Sequence, residues 1–371
     1  MKKKICILGW YGTETLGDRA ILDGIFSIFY NTYGKCEFYI GSLYPFFTER
    51  TLYEDGRIYQ NTAPGCDISI FDVKVDMAEY IKKSDIVIMG GGPIMELDLL
   101  YLIYKGFCIA QKEKKKSIVF GCGLGPLKSK RLIAVAKKII LKADLVIFRD
   151  EESLKYANEL IRNKKKCFAL ADPAIISIKQ YKKQNGVDRK KYLVVNFREP
   201  DHHYPLLETS ICNDFCEILK IACNHYEKIK LVPMHTFCVG QDDRKYLAQI
   251  ANNVGDAKIE VLHKPLDLYE LYAIYSNAEA CIGMRYHSIV MQTILNGNNY
   301  IIDYTERNHG KISGFIKMLG DASYYNDKYT SIVSDKLDAK SCIDILTNNK
   351  YYEYDITKSE IESYCDLIKK I

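Results

Sequence analysis

Four basic side chains in the second half of the chain each follow a short apolar segment typical of a β-strand. They are Arg198, His235, Arg285 and His287. The strands of a parallel sheet all point one way, so we expect the residues that follow them at one edge. A guanidinium group is a natural partner for a carboxylate or a phosphate, and a histidine can move a proton near neutral pH. The pattern therefore predicts a site for a small dianion with acid–base chemistry beside it.

Arg285 and His287 are separated by a single residue, Tyr286. In an extended chain, side chains two positions apart point to the same side, so both could act on one ligand. The alternatives are salt bridges for the two arginines and surface or helix-capping positions for the histidines. Because all four residues follow strands of one predicted sheet, a ligand site is the preferred interpretation.

Glycine-rich loops follow the predicted strands of the first half. Gly17 and Asp18 end the loop after the first strand, and Gly91 and Gly92 follow a later one. Glycine lets the backbone turn sharply and leaves amides free to bind oxygen atoms. An ordinary turn explains any single loop of this kind equally well. The first βα unit has no complete G-x-G-x-x-G and no loop ends in Gly-Lys-Ser/Thr, so nucleotide binding is not supported.

The composition narrows the class of protein. A chain of 371 residues with 48% hydrophobic residues is long enough for two domains and too apolar for general disorder. The net charge of +5 comes from lysine clusters, which we expect to be solvated. Contact of these lysines with an anionic lipid surface is the alternative. The sequence contains no motif of a known nucleic-acid-binding domain, so the lysine clusters do not indicate nucleic-acid binding.

The positions of cysteine, histidine and apolar residues indicate whether the protein binds a metal and in which cellular compartment it lies. The 13 cysteines include no C-x-x-C pair, so reduced thiols in a reducing compartment are expected. His202 and His203 would point to opposite faces of a strand, and no metal site is predicted. The first apolar stretch is broken at Gly9 and Gly12, and no apolar run approaches the ~20 residues that span a bilayer. We expect a cytoplasmic protein, soluble or peripheral at the inner face of the cell membrane.

Short apolar runs alternate with amphipathic stretches along the whole chain, which is typical of parallel sheets covered by helices on both faces. The predicted strands are residues 5–8, 37–40, 85–89, 117–120, 144–148 and 167–170, then 192–197, 230–233, 258–262, 280–283 and 300–304. A polar, lysine-rich segment at 178–191 is the predicted linker. The sequence thus predicts an α/β fold of two doubly wound, Rossmann-like domains, similar to the GT-B architecture, with the chemistry in a cleft between them. The predicted domains are residues 1–178 and 190–345, and residues 353–371 form a helix expected to pack on the first domain.

The ordered set of short motifs resembles the polysaccharide pyruvyl transferase family from about residue 17 to residue 320. The matching motifs are Gly17-Asp18-x-Ala20-Ile21, Gly90 to Gly92, Gly121-x-Gly-x-Gly-Pro126, Arg149-Asp150-x-x-Ser153, Asp172-Pro173, Asn196-x-Arg198, Arg285-x-His287 and Gly310-Lys311. The resemblance implies transfer of a pyruvyl group from phosphoenolpyruvate to a sugar of a cell-surface polysaccharide or its lipid-linked precursor, with formation of a pyruvate ketal. It implies no cofactor, because phosphoenolpyruvate is a substrate.

This resemblance assigns expected roles to the candidate residues. The donor-binding residues are Arg198, Arg285, Ser288 and Lys311; the catalytic residues are His287 and His235; the acceptor-binding residues are Asp18, Gly17, Gly91 and Gly92. Two other functions remain open from the sequence. One is a GT-B glycosyltransferase that uses a nucleotide sugar, and the other is a non-catalytic relative that binds saccharides.

Overall fold

Two separate parallel sheets form the framework of this computed structural model, which describes residues 2–125, 127–200, 205–237 and 241–371. Each sheet belongs to its own unit of the chain. The first unit comprises Met1–Ser177 and Thr357–Ile371, and the second comprises Ile178–Ile356. The predicted fold class, two α/β domains built on parallel sheets, is confirmed.

The first unit has a seven-stranded sheet in the order β3-β2-β1-β4-β5-β6-β7. Its strands are β1 (Lys3–Leu8), β2 (Cys36–Ser42), β3 (Asp67–Asp72), β4 (Ile86–Met89), β5 (Lys116–Cys122), β6 (Leu145–Phe148) and β7 (Phe168–Ala169). Its helices are α1 (Leu16–Tyr33), α2 (Pro45–Glu54), α3 (Gly56–Thr62), α4 (Met77–Lys83), α5 (Leu100–Lys112), α6 (Lys130–Lys142), α7 (Glu151–Ile161) and, at the end of the chain, α15 (Glu360–Ile368). All four residues of β4 and of β6 are buried, as expected for central strands covered on both faces.

The second unit has a six-stranded sheet in the order β10-β9-β8-β11-β12-β13. Its strands are β8 (Lys190–Asn196), β9 (Lys228–Leu231), β10 (Ile259–Val261), β11 (Ala278–Gly283), β12 (Asn299–Asp303) and β13 (Tyr329–Ser331). Its helices are α9 (Pro205–Ala222), α10 (Asp243–Val254), α11 (Leu268–Asn277), α12 (Tyr286–Met291), α13 (Gly310–Lys317) and α14 (Ala339–Thr347). A π-helical turn (Gln292–Asn296) extends α12, and a 3₁₀ turn (Ala322–Tyr325) precedes β13.

Each sheet has one point where the strand order changes direction. It lies between β1 and β4 in the first unit and between β8 and β11 in the second. The chain segments that follow the two strands at such a point run to opposite faces of the sheet. The loops beyond the carboxyl ends of these strands therefore diverge and leave room for a ligand. In the second unit Gly283 pairs with Asn196, so the residues after β8 and β11 leave the sheet side by side.

The structure differs from the sequence prediction in several elements. The first half of the predicted linker at 178–191 is helical, because α8 (Pro173–Gln184) extends to residue 184 and crosses the boundary between the units at residue 178. Strands β3 and β13 were not predicted. None of the helices in the described ranges is both long and apolar enough to cross a membrane. His202 and His203 lie outside the described residues.

Candidate functional site

Asn196 holds together three strand ends of the second unit. Its buried side chain donates a hydrogen bond from Nδ2 to the carbonyl of Val232 at 2.8 Å. Its Oδ1 accepts a hydrogen bond from the backbone N–H of Arg285 at 3.0 Å. The amide therefore fixes the segments that follow β8, β9 and β11 relative to one another. Both predicted donor-binding arginines emerge from this junction.

Arg285 forms a two-point ion pair with Asp243, the first residue of α10. Its Nε donates to one carboxylate oxygen at 2.7 Å, and its Nη2 donates to the other. Asp243 is buried and also accepts hydrogen bonds from the backbone N–H groups of Met234 at 3.0 Å and His235 at 3.1 Å. The two-donor face of Arg285 thus holds a protein carboxylate, and its role as a donor-binding residue stays a prediction. These contacts do not use Nη1.

Arg198 has a different environment. Its guanidinium carbon lies 4.5 Å from the centre of the Tyr304 ring, and its Nε is buried. Within the described part of the chain, that Nε has no hydrogen-bond acceptor and the guanidinium forms no ion pair. Arg198 is half-buried, and a partly desolvated cation is stabilised when an anion binds beside it. Arg198 is thus the cation in this region best prepared to receive an anion from outside.

Lys311 approaches the same tyrosine from α13. Its Nζ lies 5.8 Å from the ring centre of Tyr304 and 6.0 Å from that of Tyr286. No carboxylate in the described ranges forms an ion pair with Lys311. Two cations that form no ion pair within the described residues, Arg198 and Lys311, therefore lie beside one aromatic ring. The charge of Lys311 also acts on the buried carboxylate of Asp303, where it partly offsets the rise in pKa that burial causes.

The phenol of Tyr304 shows how strong this positive field is. Burial raises the pKa of Tyr304, but the charges of Lys311, Arg198 and Arg285 and a hydrogen bond with Lys311 outweigh burial and lower it to about 8. All three cations therefore act on a single point. Sequence reasoning treated Tyr304 only as the end of a predicted strand. Its position after β12, the neighbour of β11 in the sheet, is the signal that could have identified it.

The other predicted residues of this unit are placed in different ways. Ser288 is fully buried and its hydroxyl shares a 2.7 Å hydrogen bond with Tyr275. This hydrogen bond anchors α12 to α11, and the role of Ser288 as a donor contact stays a prediction. His287 is half-buried and its ring lies 5.0 Å from that of Tyr286. His235 lies after β9, where its backbone shares Asp243 with Arg285.

The spacing argument for Arg285 and His287 does not hold in its original form. Arg285 has extended backbone angles, φ −76° and ψ 141°, and caps α12, whereas Tyr286 and His287 are helical. The rule that residues two apart share a face applies to a continuous strand. The chain changes from strand to helix between Arg285 and Tyr286, so the rule does not apply to Arg285 and His287.

The predicted acceptor residues of the first unit meet where the loops after β1 and β4 diverge. Gly92 has φ +73°, and a Cβ built on it would lie 2.4 Å from Cδ1 of Trp10 and 3.4 Å from Oδ1 of Asp18. Gly91 has φ +106°, and its Cβ would lie 2.7 Å from the hydroxyl of Tyr11. Both positions therefore require glycine, because larger residues would be strained and would clash. Gly17 precedes Asp18 in the first turn of α1 and is buried.

Tyr11 belongs to this group although the sequence did not single it out. Its hydroxyl is buried and, within the described residues, has no hydrogen-bond partner. Burial raises the pKa of Tyr11 well above its ordinary value, and the nearby Asp18 carboxylate raises it further. The hydroxyl is therefore a neutral donor beside a carboxylate.

Two other sequence motifs have structural roles. Arg149 is buried, and its Nη1 lies 3.0 Å from Oδ2 of buried Asp172, which links β6 to the start of α8. Asp150 caps α7 by accepting from the backbone N–H of Ser153 at 2.6 Å. The Ser153 hydroxyl accepts in turn from the backbone N–H of Leu124 at 2.9 Å. These residues hold the loops that follow β5 and β6 in position.

Solved structures with a similar fold include several sugar-nucleotide proteins. The UDP-GlcNAc 2-epimerase from Methanocaldococcus jannaschii has a TM-score of 0.59 at 14% identity, covering 100% of this chain and 99% of the other. S. aureus MnaA, solved with UDP, has a TM-score of 0.60 at 13% identity, covering 100% and 96%. Anabaena Alr3699/HepE, solved with UDP-glucose, has a TM-score of 0.61 at 12% identity, covering 99% and 100%. At such identities these similarities show a common GT-B-like fold.

A comparison with curated proteins found no match. The model of one family, polysaccharide pyruvyl transferase, matches residues 16–306. The matched region contains Asp18, Asn196, Arg198, Arg285 and His287, and it ends just after Tyr304. The chain belongs to the polysaccharide pyruvyl transferase family.

Proposed function

We propose that this protein transfers the pyruvyl group of phosphoenolpyruvate to two hydroxyls of a sugar, forming a cyclic ketal and releasing phosphate. The observation that carries the proposal is the group of three cations around Tyr304, of which one, Arg285, is paired with a protein carboxylate. Phosphoenolpyruvate combines a carboxylate and a phosphate in one small molecule. Its two anionic groups therefore match the two positive charges of Arg198 and Lys311, which form no ion pair within the described residues.

The proposed reaction makes defined demands on the donor side. A proton must reach the methylene carbon, which becomes the methyl group of the ketal. Positive charge then develops at the neighbouring carbon, where one sugar hydroxyl adds and a second displaces phosphate. One of the two hydroxyl protons replaces the proton used at the methylene carbon, and the other leaves with the phosphate. We assign the first transfer to His287, with His235 as the rival acid, since imidazole is the usual general acid near neutral pH.

The acceptor side of the proposal uses the first unit. Asp18 would accept a hydrogen bond from a sugar hydroxyl, and the glycine backbone at Gly91 and Gly92 would allow close approach of the sugar ring. Gly17 precedes Asp18 in the first turn of α1 and is proposed as its neighbour on the acceptor side. The proposal assigns no cofactor and no metal. For a lipid-linked acceptor, the lysine clusters would add attraction to an anionic membrane surface of about 1 kcal/mol per lysine.

The test is a direct binding measurement with purified protein. Isothermal titration calorimetry should show binding of phosphoenolpyruvate, and inorganic phosphate should bind more weakly because it lacks the carboxylate. Arg198→Ala should weaken phosphoenolpyruvate binding roughly 10- to 150-fold, the effect of losing a hydrogen bond to a charged group. Arg307→Ala is the matched control, because that arginine of the same unit is paired with Asp335.

A nucleotide sugar is the rival ligand, because two similar structures are named for or solved with a UDP-sugar and a third was solved with UDP. UDP and UDP-sugars should cause no rise in melting temperature at concentrations where phosphoenolpyruvate does. Stabilisation by UDP-sugars alone would replace the pyruvyl transferase proposal with a glycosyltransferase of the same fold.

A further inference from the structure

Tyr304 is the point on which the cations of the second unit converge, yet the proposed chemistry gives it no task. The residue directly follows β12 and is half-buried. Arg198 stacks on its ring, and the ammonium group of Lys311 lies 5.8 Å from the ring centre. Arg285 adds a third positive charge from the junction between β11 and α12.

The hydrogen-bonding capacity of these groups shows that they need a further acceptor. Arginine and lysine are donors only, and a phenol is both a donor and an acceptor. When Lys311 donates to the Tyr304 oxygen, the O–H of Tyr304 is directed to another acceptor. An anionic oxygen placed next to Arg198 and Lys311 would satisfy this donor and both cations together.

We propose that the Tyr304 hydroxyl donates a hydrogen bond to an anionic group of the donor substrate, so that Arg198, Lys311 and Tyr304 form one anion-binding site that requires the protonated phenol. This inference rests on the proposed function, which supplies phosphoenolpyruvate as the donor. The shared chemistry is an anionic oxygen, which either the carboxylate or the phosphate of the donor provides.

A pH dependence of donor binding follows from this arrangement. Without ligand, the pKa of Tyr304 is lowered to about 8, so a phenolate forms above that pH. The negative charge of this phenolate then interacts with the cations in place of a bound anion. A bound anion balances the cations and repels the phenolate, which returns the pKa of Tyr304 towards its ordinary value. Binding therefore favours the protonated phenol. Affinity should be constant below pH 8 and fall about tenfold per pH unit above it.

Lys311 is part of the proposed site, and the charged groups of Arg198, Arg285, Asp243 and Asp303 do not produce this pattern. The guanidinium groups of Arg198 and Arg285 keep their charge throughout this range. Asp243 from α10 is bound to Arg285. Asp303, at the end of β12, is buried and accepts hydrogen bonds from Thr305 and Tyr329. Burial raises the pKa of Asp303 above the ordinary carboxyl value, which is far below pH 8.

The experiment compares donor binding by the wild type, Tyr304→Phe and Tyr300→Phe between pH 6.5 and 9.5, measured by calorimetry with phosphoenolpyruvate. Tyr304→Phe should weaken binding roughly tenfold or more at pH 7 and show no alkaline decline. Tyr300→Phe is the matched control, because Tyr300 lies on the same strand and its hydroxyl shares a hydrogen bond with Thr330 at 2.6 Å. The control should keep both the wild-type affinity and the decline above pH 8. Inorganic phosphate and pyruvate, titrated separately, identify which anionic group loses affinity in Tyr304→Phe.

The outcomes separate this inference from the proposed function. Equal affinity and an equal pH profile for wild type and Tyr304→Phe would overturn the role of Tyr304 and leave phosphoenolpyruvate as the donor. Failure of the wild type to bind phosphoenolpyruvate would overturn the proposed function itself. If Tyr304→Phe does not fold, a fluorotyrosine at position 304 replaces it. Its more acidic phenol should move the alkaline decline to lower pH, and an unmoved decline would overturn the inference.

Discussion

At the scale of single residues, the cations around Tyr304 differ in how their charge is balanced. The guanidinium of Arg285 is held at two points by Asp243, whereas Arg198 and Lys311 form no ion pair within the described residues. A buried carboxylate that loses its partner is costly, since the remaining charge stays desolvated. We therefore expect the two arginines to respond differently to the same substitution.

Replacement of each arginine by lysine should separate binding from stability. Arg198→Lys should weaken phosphoenolpyruvate binding by about 10- to 150-fold and leave the melting temperature near that of wild type. Arg285→Lys should also weaken binding, but with a clearly lower melting temperature, because lysine cannot reproduce the two-donor contact to Asp243. Calorimetry and thermal unfolding measure the two effects. An unchanged melting temperature for Arg285→Lys would show that its contact with Asp243 contributes little to the fold.

His287→Gln should impair turnover more than donor binding. Glutamine keeps a hydrogen bond but cannot deliver a proton near neutral pH, so saturated turnover should fall about 10²- to 10⁴-fold. Donor affinity, measured by calorimetry, should change little. His225→Gln, at an exposed histidine of the same unit, is the control. Normal saturated turnover with weakened donor binding would move His287 to the anion site, and His235→Gln would then test the rival acid.

The types of the residues that follow the strands indicated the cations of this region, whereas the spacing of Arg285 and His287 did not indicate how their side chains are arranged. Arginines after consecutive strands are visible in the sequence, and the structure brings Arg198, Arg285 and Lys311 into the field of one tyrosine. The partnership of Arg285 with Asp243 joins residues 42 positions apart, and local pattern carries no information about such contacts. The hydrogen bond between Ser288 and Tyr275 is another contact between separate helices that local pattern does not reveal.

At the scale of elements, burial on both faces decided which strands could be predicted. Strands β1, β4, β5 and β6 are continuous apolar runs in the middle of the sheet, and the prediction placed all of them. Edge strand β3 is Asp67–Asp72, with a charged residue at each end and mostly half-exposed positions. Edge strand β13 has only three residues. Short or polar edge strands obtain their conformation from the neighbouring strand, and sequence periodicity does not reveal it.

Helix α1 contains a carboxylate whose burial should make stability depend on pH. Asp23 is almost fully buried, and burial raises its pKa to about 6 although hydrogen bonds with Ser177 and Thr62 lower it. A raised carboxyl pKa means that folding favours the proton. The stabilisation is complete below the unfolded pKa near 4 and is lost as pH rises to about 6. The loss is on the order of 2–3 kcal/mol for a shift of about two pKa units.

Asp23→Asn should therefore raise the melting temperature at pH 7 and remove part of the decline between pH 4 and 6. Asparagine is the neutral counterpart of the protonated carboxyl and keeps an oxygen that can accept from Ser177 and Thr62. Thermal unfolding across this pH range measures the effect. Asp366→Asn, at an exposed position of the same unit, should leave the profile unchanged. A lower melting temperature for Asp23→Asn at pH 7 would contradict a buried carboxylate that destabilises the fold.

At the scale of the whole molecule, the first unit is built from two separate parts of the chain. Helix α15 returns after the second unit and packs on α1. Tyr364 is fully buried, donates a hydrogen bond to the carbonyl of Ala171 at 2.9 Å and lies with its ring 5.0 Å from that of Phe120. The Cys365 thiol accepts a hydrogen bond from Thr32 at 3.1 Å. The last residues of the chain thus complete the core of the unit that contains the first residues.

Tyr364→Ala should for this reason destabilise the first unit and spare donor binding. Removal of a buried aromatic ring costs about 3–5 kcal/mol through lost burial and the cavity left behind. Hydrogen exchange should accelerate in β1, β4 and β5, whereas the strands of the second unit should keep wild-type protection. Phosphoenolpyruvate affinity should be unchanged below the melting temperature, because Arg198, Lys311, Arg285 and Tyr304 all belong to the second unit. Tyr351→Ala, at an exposed tyrosine of the second unit, controls for general effects of losing a ring. Accelerated exchange in both units, with loss of phosphoenolpyruvate binding, would mean that the two units unfold as one cooperative body.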